Sequence, residues 1–337
     1  MKKRSVFRWL FVAAAMASPV AAFAADFECR PITPMPREIS IRSRYAPEDL
    51  TYSTIDPARM TQQTDYRKRF TLPLRAAMFA AKRAAASRDP HDEIACLAGY
   101  FDAFAKAQSM EGTGKELDNV YRSWTISGLA TIYYRFQGDL DKYPSAGNVH
   151  QWFDRTGKDL ISQYQPILKS GRITNHLYWG GEAVTVLGVV NKNQQFLAFG
   201  SDVLRTGVAQ IDADGAMPAE LARGKMARHY HMFAAVPLVA ITVFNPDTVQ
   251  ASHGNNDGLT RLISATVASY GAPDGGVIAR KSRAAQTPDA SLKDLKVLQY
   301  YSGIDPKDRD LLKTLTATTP NDNVYFGGDT SFMLGGR

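Results

Sequence analysis

The chain has 337 residues and two cysteines, with 40 Lys and Arg against 33 Asp and Glu. This length is ample for one large hydrophobic core or for two domains. Four of the cations and none of the anions lie in the first 24 residues, and without those residues the formal net charge is +3. So mild an excess suits an anionic substrate and argues against nucleic acid as a partner.

Residues 1–24 have the organisation of a secretory signal peptide. A basic start at 1–4 precedes an apolar run over 10–22, and Ala22-Phe23-Ala24 forms a small-x-small cleavage site. The apolar run is too short for a transmembrane anchor. We therefore expect a periplasmic protein without a membrane anchor, whose mature chain starts at Ala25.

The two cysteines, Cys29 and Cys96, both belong to the mature chain. An even number of cysteines in an oxidising compartment favours a disulfide between them. Two buried free thiols are the alternative.

The mature chain begins with a predicted irregular arm over 26–60, rich in Pro, Arg and Ser. After Phe70 the apolar residues recur at helical spacing. Helices are predicted from 70 to 85 and from 90 to 104, and then over 115–136, 149–164, 175–190, 196–209, 219–244, 259–270, 292–301 and 306–315. Pro237 is expected to kink or split the 219–244 helix, and 271–288 is expected to be a basic loop.

About ten helices joined by short loops, with no convincing strand run, predict an all-α chain. Successive antiparallel helices of this length form either a solenoid or a closed α/α toroid. No internal repeat is visible in the sequence, which disfavours the solenoid. We therefore expect a single α/α toroid domain over 25–337, whose inner helices end in a concave cleft for a long polymer.

One segment at a predicted helix start carries an unusual set of side chains: Asn175, His176, Tyr178 and Trp179. Capping would explain a polar pair at this position, but it does not explain the Tyr and Trp that follow. Aromatic rings beside polar groups are typical of a surface that binds sugar rings.

A second segment contains Arg223 and Tyr230, seven residues apart on the predicted 219–244 helix. This spacing places both side chains on one face, with His229 and His231 to either side of Tyr230. Taken alone, an Arg and a Tyr on one stripe are explained better by packing, since Arg and Tyr both bury apolar surface beneath a polar end.

Metal-binding patterns are weak in this sequence. His229-x-His231 has close spacing but no obvious third or fourth ligand. Asp212-x-Asp214-Gly215 starts like a calcium loop but lacks its later ligands. We expect no metal and no cofactor.

The two segments together resemble the bacterial periplasmic alginate lyase family, whose members act on polymannuronate. The resemblance rests on Asn175-His176-x-Tyr178-Trp179, on the stretch from Gln210 through Glu220 to Arg223, and on Tyr230-His231. Matches of lower specificity are Arg42-Ser43-Arg44-Tyr45, Cys96, Trp124 and Gly327-Gly328-Asp329.

The resemblance implies an incomplete α/α toroid, an N-terminal lid over about 40–66, and a metal-independent β-elimination. Asn175 and Arg223 would bind the uronate carboxylate, and His176 would neutralise it or act as the base. Tyr230 would serve as the acid, and in some substrates also as the base. The expected substrate-binding residues are Arg44, Tyr45, Trp124, Tyr178, Trp179, His229 and Tyr325.

The chemistry of elimination is consistent with these residue types. An ionised carboxylate resists removal of the neighbouring C5 proton, and fixed donors such as Asn and Arg stabilise the charge that develops. In mannuronate and glucuronate the C5 hydrogen and O4 share a face, so one tyrosine can serve twice if it starts ionised. Arg223 and the histidines are expected to favour that phenolate. In guluronate and galacturonate the two groups lie on opposite faces, which favours His176 as base and Tyr230 as acid.

The sequence departs from the family's pattern in its periphery. Tyr325 stands where an Arg commonly precedes a Leu-Gly-Gly-Asp segment, Arg44 replaces a Lys, and Thr174 replaces an Asn. These departures widen the expected substrates to glucuronan-like polymers and other polyuronates. The alternatives are an α/α-toroid glycoside hydrolase, which needs two facing carboxylates, and a non-catalytic periplasmic polyuronate-binding protein. We expect a monomer.

Overall fold

The structure of the protein is a computed structural model that describes residues 27–49, 54–112, 114–171, 173–248, 257–289 and 292–335. The predicted signal peptide lies outside these residues. Among the helices of the described ranges, none combines the length and the apolar character that crossing a membrane requires.

Helices make up most of the described chain. Eight are labelled here: α1 Pro57–Ala86, α2 His91–Lys106, α3 Glu116–Leu140, α4 Ala146–Ser170, α5 Asn175–Asn191, α6 Gln194–Ala209, α7 Pro218–Leu221 and α8 Ala227–Phe244. Later helices cover Gly258–Gly271, Gly276–Ser282, Pro306–Thr316 and Thr330–Met333, and 3-10 turns cover Gly224–Met226, Lys293–Tyr300 and Val324–Phe326. The described strands are one short antiparallel pair, Asp322–Asn323 with Gly328–Asp329.

The first helix begins earlier than the sequence pattern predicted. The Asp56 side chain accepts hydrogen bonds from the backbone N–H groups of Ala58 and Arg59, and Pro57 occupies the first helical position. Both features stabilise a helix start even where the following residues are polar. The predicted irregular arm (26–60) and the expected lid (40–66) therefore both run into the first turns of α1.

The predicted helix over 219–244 is wrong in its first part. α7 ends at Leu221, and Gly224 has a φ of +54°, which begins a 3-10 turn rather than a further helical turn. A new helix, α8, then starts at Ala227. Pro237 lies inside α8 and does not split it. The predicted loop over 271–288 also contains the short helix Gly276–Ser282.

Helix α5 is the centre of the described fold, with α3, α4, α6 and α8 packed against it. Only a short connection separates the end of α5 from the start of α6, so these two packed helices run antiparallel. A Cβ at Gly180 would lie 2.4 Å from the Tyr164 ring. The glycine therefore lets α4 approach the start of α5 closely. Asn175 and His176 are consequently held on a rigid, buried helix.

A disulfide joins Cys29 in the N-terminal arm to Cys96 in α2, with an S–S distance of 2.04 Å. The predicted pairing is therefore confirmed. The two cysteines are 67 residues apart in the sequence, so the bridge holds the arm that leads into Arg44 and Tyr45.

Replacing both cysteines with serine (Cys29→Ser, Cys96→Ser) should lower the free energy of unfolding by roughly 4 kcal/mol, because a closed loop of this length restricts the unfolded chain. Urea unfolding of the oxidised protein and the double variant measures the difference. Wild-type protein unfolded with a reductant should match the variant. A loss below about 1 kcal/mol would contradict the prediction.

Candidate active site

A chain of contacts connects predicted site residues of the arm, the start of α5, the α7–α8 junction and the first turns of α8. Asn175 contacts Glu220, Glu220 lies near Arg223, and Arg223 covers the ring of Tyr230. Tyr230 in turn contacts Tyr45 of the arm. Residues that are 45 positions apart (Asn175 and Glu220) and 185 positions apart (Tyr45 and Tyr230) therefore lie in one chain of contacts.

Glu220 organises the first part of this site, although it was not among the predicted site residues. Its carboxylate accepts a hydrogen bond from the Asn175 backbone N–H at 3.2 Å, and both of its oxygens contact the Asn175 side-chain nitrogen, at 3.1 and 3.2 Å. The sequence signal that could have identified Glu220 is its position within the Pro218-x-Glu220-Leu221-x-Arg223 stretch, which resembles the alginate lyase family. Asn175 Oδ1 is buried and has no hydrogen-bond partner among the described residues.

Burial raises the pKa of Glu220, and the hydrogen bonds from Asn175 and the charge of Arg223 act in the opposite direction. The Arg223 Nε atom lies 3.8 Å from the Glu220 carboxylate. Glu220 is only 1% exposed. A carboxylate at this depth has to be compensated by its neighbours, so Glu220, Asn175 and Arg223 form one interdependent unit.

Arg223 reaches Tyr230 by a different route from the predicted one. It precedes the 3-10 turn and does not belong to the helix of Tyr230. Its guanidinium nevertheless lies 4.7 Å from the centroid of the Tyr230 ring. This contact is a cation–π interaction, and it places a positive charge beside the phenol.

The Tyr230 hydroxyl lies 3.0 Å from the Tyr45 hydroxyl, which also accepts a hydrogen bond from Arg44 Nη2 at 3.0 Å. Either hydroxyl of this pair can donate to the other, because the Tyr45 oxygen can accept from both Arg44 and Tyr230. Burial and then Tyr45 raise the pKa of Tyr230 above its ordinary value, and the charges of Arg223 and Arg44 do not offset them. The charge of Arg223 favours the phenolate, as expected, but burial and Tyr45 outweigh it, so the Tyr230 phenol keeps its proton in this arrangement.

The three histidines of the two motifs have different environments. His176 Nδ1 lies 2.6 Å from a carboxylate oxygen of Glu116, and His229 Nδ1 lies 2.8 Å from Asp289. His231 is buried, accepts the Met217 backbone N–H at Nε2 and contacts a backbone carbonyl through Nδ1. Burial lowers the pKa of His231 to about 4, so His231 is a neutral structural residue.

An aromatic cluster lies beside the site, and Trp124, Trp179, Phe233 and Tyr325 form it. Its ring centroids are 4.8 Å apart for Trp179 and Tyr325, 5.3 Å for Trp124 and Tyr325, and 5.5 Å for Trp124 and Phe233. The indole N–H groups of both tryptophans are buried without a partner among the described residues. Trp124 is partly exposed, whereas Trp179 is fully buried.

Tyr178, which was predicted to bind substrate, lies on another side of α5. It is 1% exposed, and a Cβ at Gly207 of α6 would lie 2.9 Å from its ring. A buried ring offers no surface to a sugar, so in this structure Tyr178 contributes to packing between α5 and α6. His229, by contrast, stacks on Phe233 at the edge of the aromatic cluster.

Tyr325 is held against α3 by its own backbone. Ser127 Oγ lies 2.8 Å from the Tyr325 carbonyl, and a Cβ at Gly128 would lie 2.6 Å from the neighbouring Val324 carbonyl. Only glycine permits this approach. The segment thereby sets Tyr325 beside Trp124, where the positive charges of Arg67 and Arg44 act on it. Arg67, whose guanidinium lies 4.8 Å from the Tyr121 ring centroid, was not predicted.

The acidic turn at Asp212 and Asp214 pairs with Lys281, so a cation of the protein already neutralises these carboxylates. A cavity of about 560 Å³ beside His150 and Asn191 is formed at the far end of α5. It is separate from the place where the motif residues meet, because its lining includes Asn191 at the end of α5, whereas Asn175 is the first residue of that helix.

The buried carboxyl group of Glu182 in α5 should make the stability of the fold depend on pH. It is fully buried, its Oε1 lies 2.7 Å from Ser127 Oγ, and burial raises its pKa to about 8. Ser127 has one proton and contacts both Glu182 and the Tyr325 carbonyl. A protonated Glu182 can donate to Ser127, which can then donate to Tyr325.

Replacing Glu182 with Gln should reduce the loss of stability at rising pH. In the unfolded chain the carboxyl ionises near its ordinary value of 4.5, and in the folded chain only near 8. Between these values ionisation favours the unfolded state by up to about 1.4 kcal/mol per pH unit, and Gln removes this contribution. Urea unfolding from pH 5 to pH 9 measures it, with Asp102→Asn on the surface of α2 as control. Parallel curves for the wild type and Glu182→Gln would contradict the prediction.

The chain was compared with known proteins. A family model described as alginate lyase matches residues 40–275. The chain is 25% identical over 292 residues to an alginate lyase of Azotobacter vinelandii, covering 82% of this chain and 74% of that protein. It is 28% identical over 250 residues to an alginate lyase of Cobetia marina, covering 70% of this chain and 64% of that protein.

Solved structures show the same fold. A variant of alginate lyase A1-III, complexed with a tetrasaccharide, superposes with a TM-score of 0.76 at 18% identity, covering 94% of this chain and 89% of that one. Alginate lyase A1-III from Sphingomonas species A1 superposes with a TM-score of 0.67 at 17% identity, covering 93% of this chain and 88% of that one. The predicted all-α fold of the α/α toroid type is confirmed.

Proposed function

Since this chain belongs to the alginate lyase family and is a polysaccharide lyase, we propose that Asn175, His176, Arg223 and Tyr230 carry out β-elimination on alginate and related polyuronates. The observation that carries this assignment is the contact between the two motifs. The Asn175–Glu220–Arg223 unit ends at the ring of Tyr230. The proposed carboxylate-binding residue Arg223 and the proposed proton donor Tyr230 therefore lie side by side.

The reaction removes the C5 proton of a uronate and expels the O4 of the next sugar. Electrons from the C5–H bond form the C4=C5 double bond as the C4–O4 bond breaks, and O4 takes a proton. Charge develops on the uronate carboxylate during this step. Arg223 is the group that would stabilise this charge. The Asn175 side-chain nitrogen contacts Glu220, so Asn175 would have to turn its amide toward the substrate to contribute a donor.

Tyr230 is suited to protonating the departing O4, because its buried phenol holds its proton. His176 is then the base for uronates whose C5 hydrogen and O4 lie on opposite faces. For mannuronate or glucuronate, Tyr230 would first have to lose its proton. Arg44, whose charge lowers the pKa of Tyr230, and a hydrogen bond from the Tyr45 hydroxyl would stabilise the resulting phenolate.

The surroundings of Tyr230 are suited to a polymer of uronates. Trp124 and Tyr325 offer aromatic surface for sugar rings, and Arg44 and Arg67 supply positive charge near Tyr325. Arg67 Nε is buried without a hydrogen-bond partner among the described residues. These cations favour a carboxylate on sugars next to the cleavage point, and Tyr325 replaces the Arg expected at its position.

The enzyme is proposed to act in the periplasm after export. The Cys29–Cys96 disulfide and the predicted signal peptide over 1–24 support this location, because structural disulfides persist in oxidising compartments.

The test is ultraviolet absorbance from unsaturated uronate ends, measured on polymannuronate, polyguluronate, polyglucuronate and polygalacturonate at several pH values. We expect absorbance with polymannuronate. No absorbance on any polymer, with folded protein, would overturn the proposal. New saturated reducing ends without absorbance would instead identify a hydrolase, and retention on a polyuronate column without shortening would identify a binding protein.

A further inference from the structure

Glu116 contacts the imidazole of His176 and has no role in the mechanism so far. It stands in the first turn of α3, and His176 is the second residue of α5. Its Oε1 atom lies 2.6 Å from His176 Nδ1. Helices α3 and α5 pack directly against each other, so the two side chains meet across a rigid helix pair.

We propose that Glu116 is a positioning residue that holds His176 as its Nδ1–H tautomer and makes Nε2 the nitrogen that acts on the substrate. An ionised carboxylate can only accept hydrogen bonds, so the single proton of a neutral imidazole is placed on Nδ1. The lone pair then stands on Nε2, on the opposite side of the ring from Glu116. This inference rests on the proposed function and assigns the reactive atom of its base.

A second carboxylate acts on the same ring. Glu220 of α7 interacts electrostatically with His176 and, through Asn175, is attached to the start of the same helix. An imidazolium formed when Nε2 takes the C5 proton would be stabilised by Glu116 at contact distance and by Glu220 from farther away. Asn175 and His176 are adjacent residues, and each contacts an acidic side chain: Glu220 contacts Asn175 and Glu116 contacts His176.

Glu116 is expected to act on His176 more by orienting the imidazole ring than by the attraction between their charges. Glu116 is 59% exposed and His176 is 25% exposed, so water screens the attraction between their charges. The hydrogen bond still selects one tautomer and one ring orientation. Loss of such a partner lowers activity by about 10–100-fold in metal-bound histidines, and we expect the lower end for this exposed pair.

The effect should depend on the stereochemistry of the substrate. With polyguluronate or polygalacturonate, His176 is the proposed base, and Glu116→Ala should lower kcat by about tenfold with little change in KM. With polymannuronate or polyglucuronate, where Tyr230 can remove the proton itself, the loss should be smaller. If only one class of polymer is cleaved, the comparison is made between Glu116→Ala and wild type on that class.

Two variants separate the hydrogen bond from the charge. Glu116→Gln keeps an acceptor oxygen for Nδ1–H and should restore part of the activity that Glu116→Ala loses. Asp139→Asn near the end of α3, whose carboxylate is 55% exposed and pairs with Lys142, is the control for the loss of an exposed anion. Its kcat should equal that of the wild type.

The tautomer is read directly from the ¹⁵N chemical shifts of histidine-labelled protein, with His176→Ala to assign the resonances. We expect Nδ1–H in the wild type and a mixture of tautomers in Glu116→Ala. An unchanged tautomer together with an unchanged kcat in Glu116→Ala would overturn the inference. Wild-type protein that cleaves no polymer would instead overturn the proposed function, while the ¹⁵N spectrum would still test the Glu116–His176 contact.

Discussion

Replacing Tyr230 with Phe should lower kcat by about 10²–10⁴-fold, the range that a positioned general acid contributes, and should change KM only a few-fold. Phenylalanine keeps the ring beneath the Arg223 guanidinium, which lies 4.7 Å from the ring centroid. It removes the one proton that the buried phenol can pass to O4. The measurement is the steady-state formation of unsaturated ends on the polymer that the wild type cleaves best.

Tyr45→Phe is the matched control for this variant. It removes the 3.0 Å contact to the Tyr230 hydroxyl but leaves the Tyr230 proton in place. Its effect should be at least tenfold smaller than that of Tyr230→Phe, since removal of a hydrogen-bond partner of the acid is milder than removal of the acid. A Tyr230→Phe variant with near-wild-type kcat would show that another group protonates O4.

Replacing Glu220 with Ala should impair both activity and folding. The change leaves the Asn175 backbone N–H and side-chain N–H groups without their acceptor and removes the anion that lies 3.8 Å from Arg223 Nε. Breaking a buried charge pair from one side costs about 3–5 kcal/mol of stability. Misplacing a donor that stabilises the developing charge costs about 10²–10³ in kcat.

Urea unfolding and kcat measured at a temperature where the variant is folded separate the two effects. Glu220→Gln retains one acceptor oxygen in a side chain of the same shape, and it should lose less stability than Glu220→Ala. A folded Glu220→Ala variant with wild-type kcat would mean that Asn175 and Arg223 reach their working positions without Glu220.

Local patterns in the sequence were sufficient to predict most of the helices. Apolar spacing indicated α2 to α6 because each buries one or more faces against neighbours. The residue types of Asn175, His176, Arg223 and Tyr230 indicated the chemistry, and these segments do approach one another. The predicted helix boundaries were wrong where a single residue outweighed the apolar periodicity. Asp56 started a helix in a polar stretch, and Gly224 interrupted one in a helix-forming stretch.

The sequence by itself therefore determined the all-α fold, the Cys29–Cys96 pair and the two motifs, because these depend on periodicity, spacing and residue type. Only the tertiary structure decided the protonation of Tyr230 and the partners of Asn175 and His176. Tyr230 meets Tyr45 across 185 positions, and His176 meets Glu116 across 60. Burial and hydrogen bonds between distant residues set a proton's position, and neither is encoded in the local spacing of either motif.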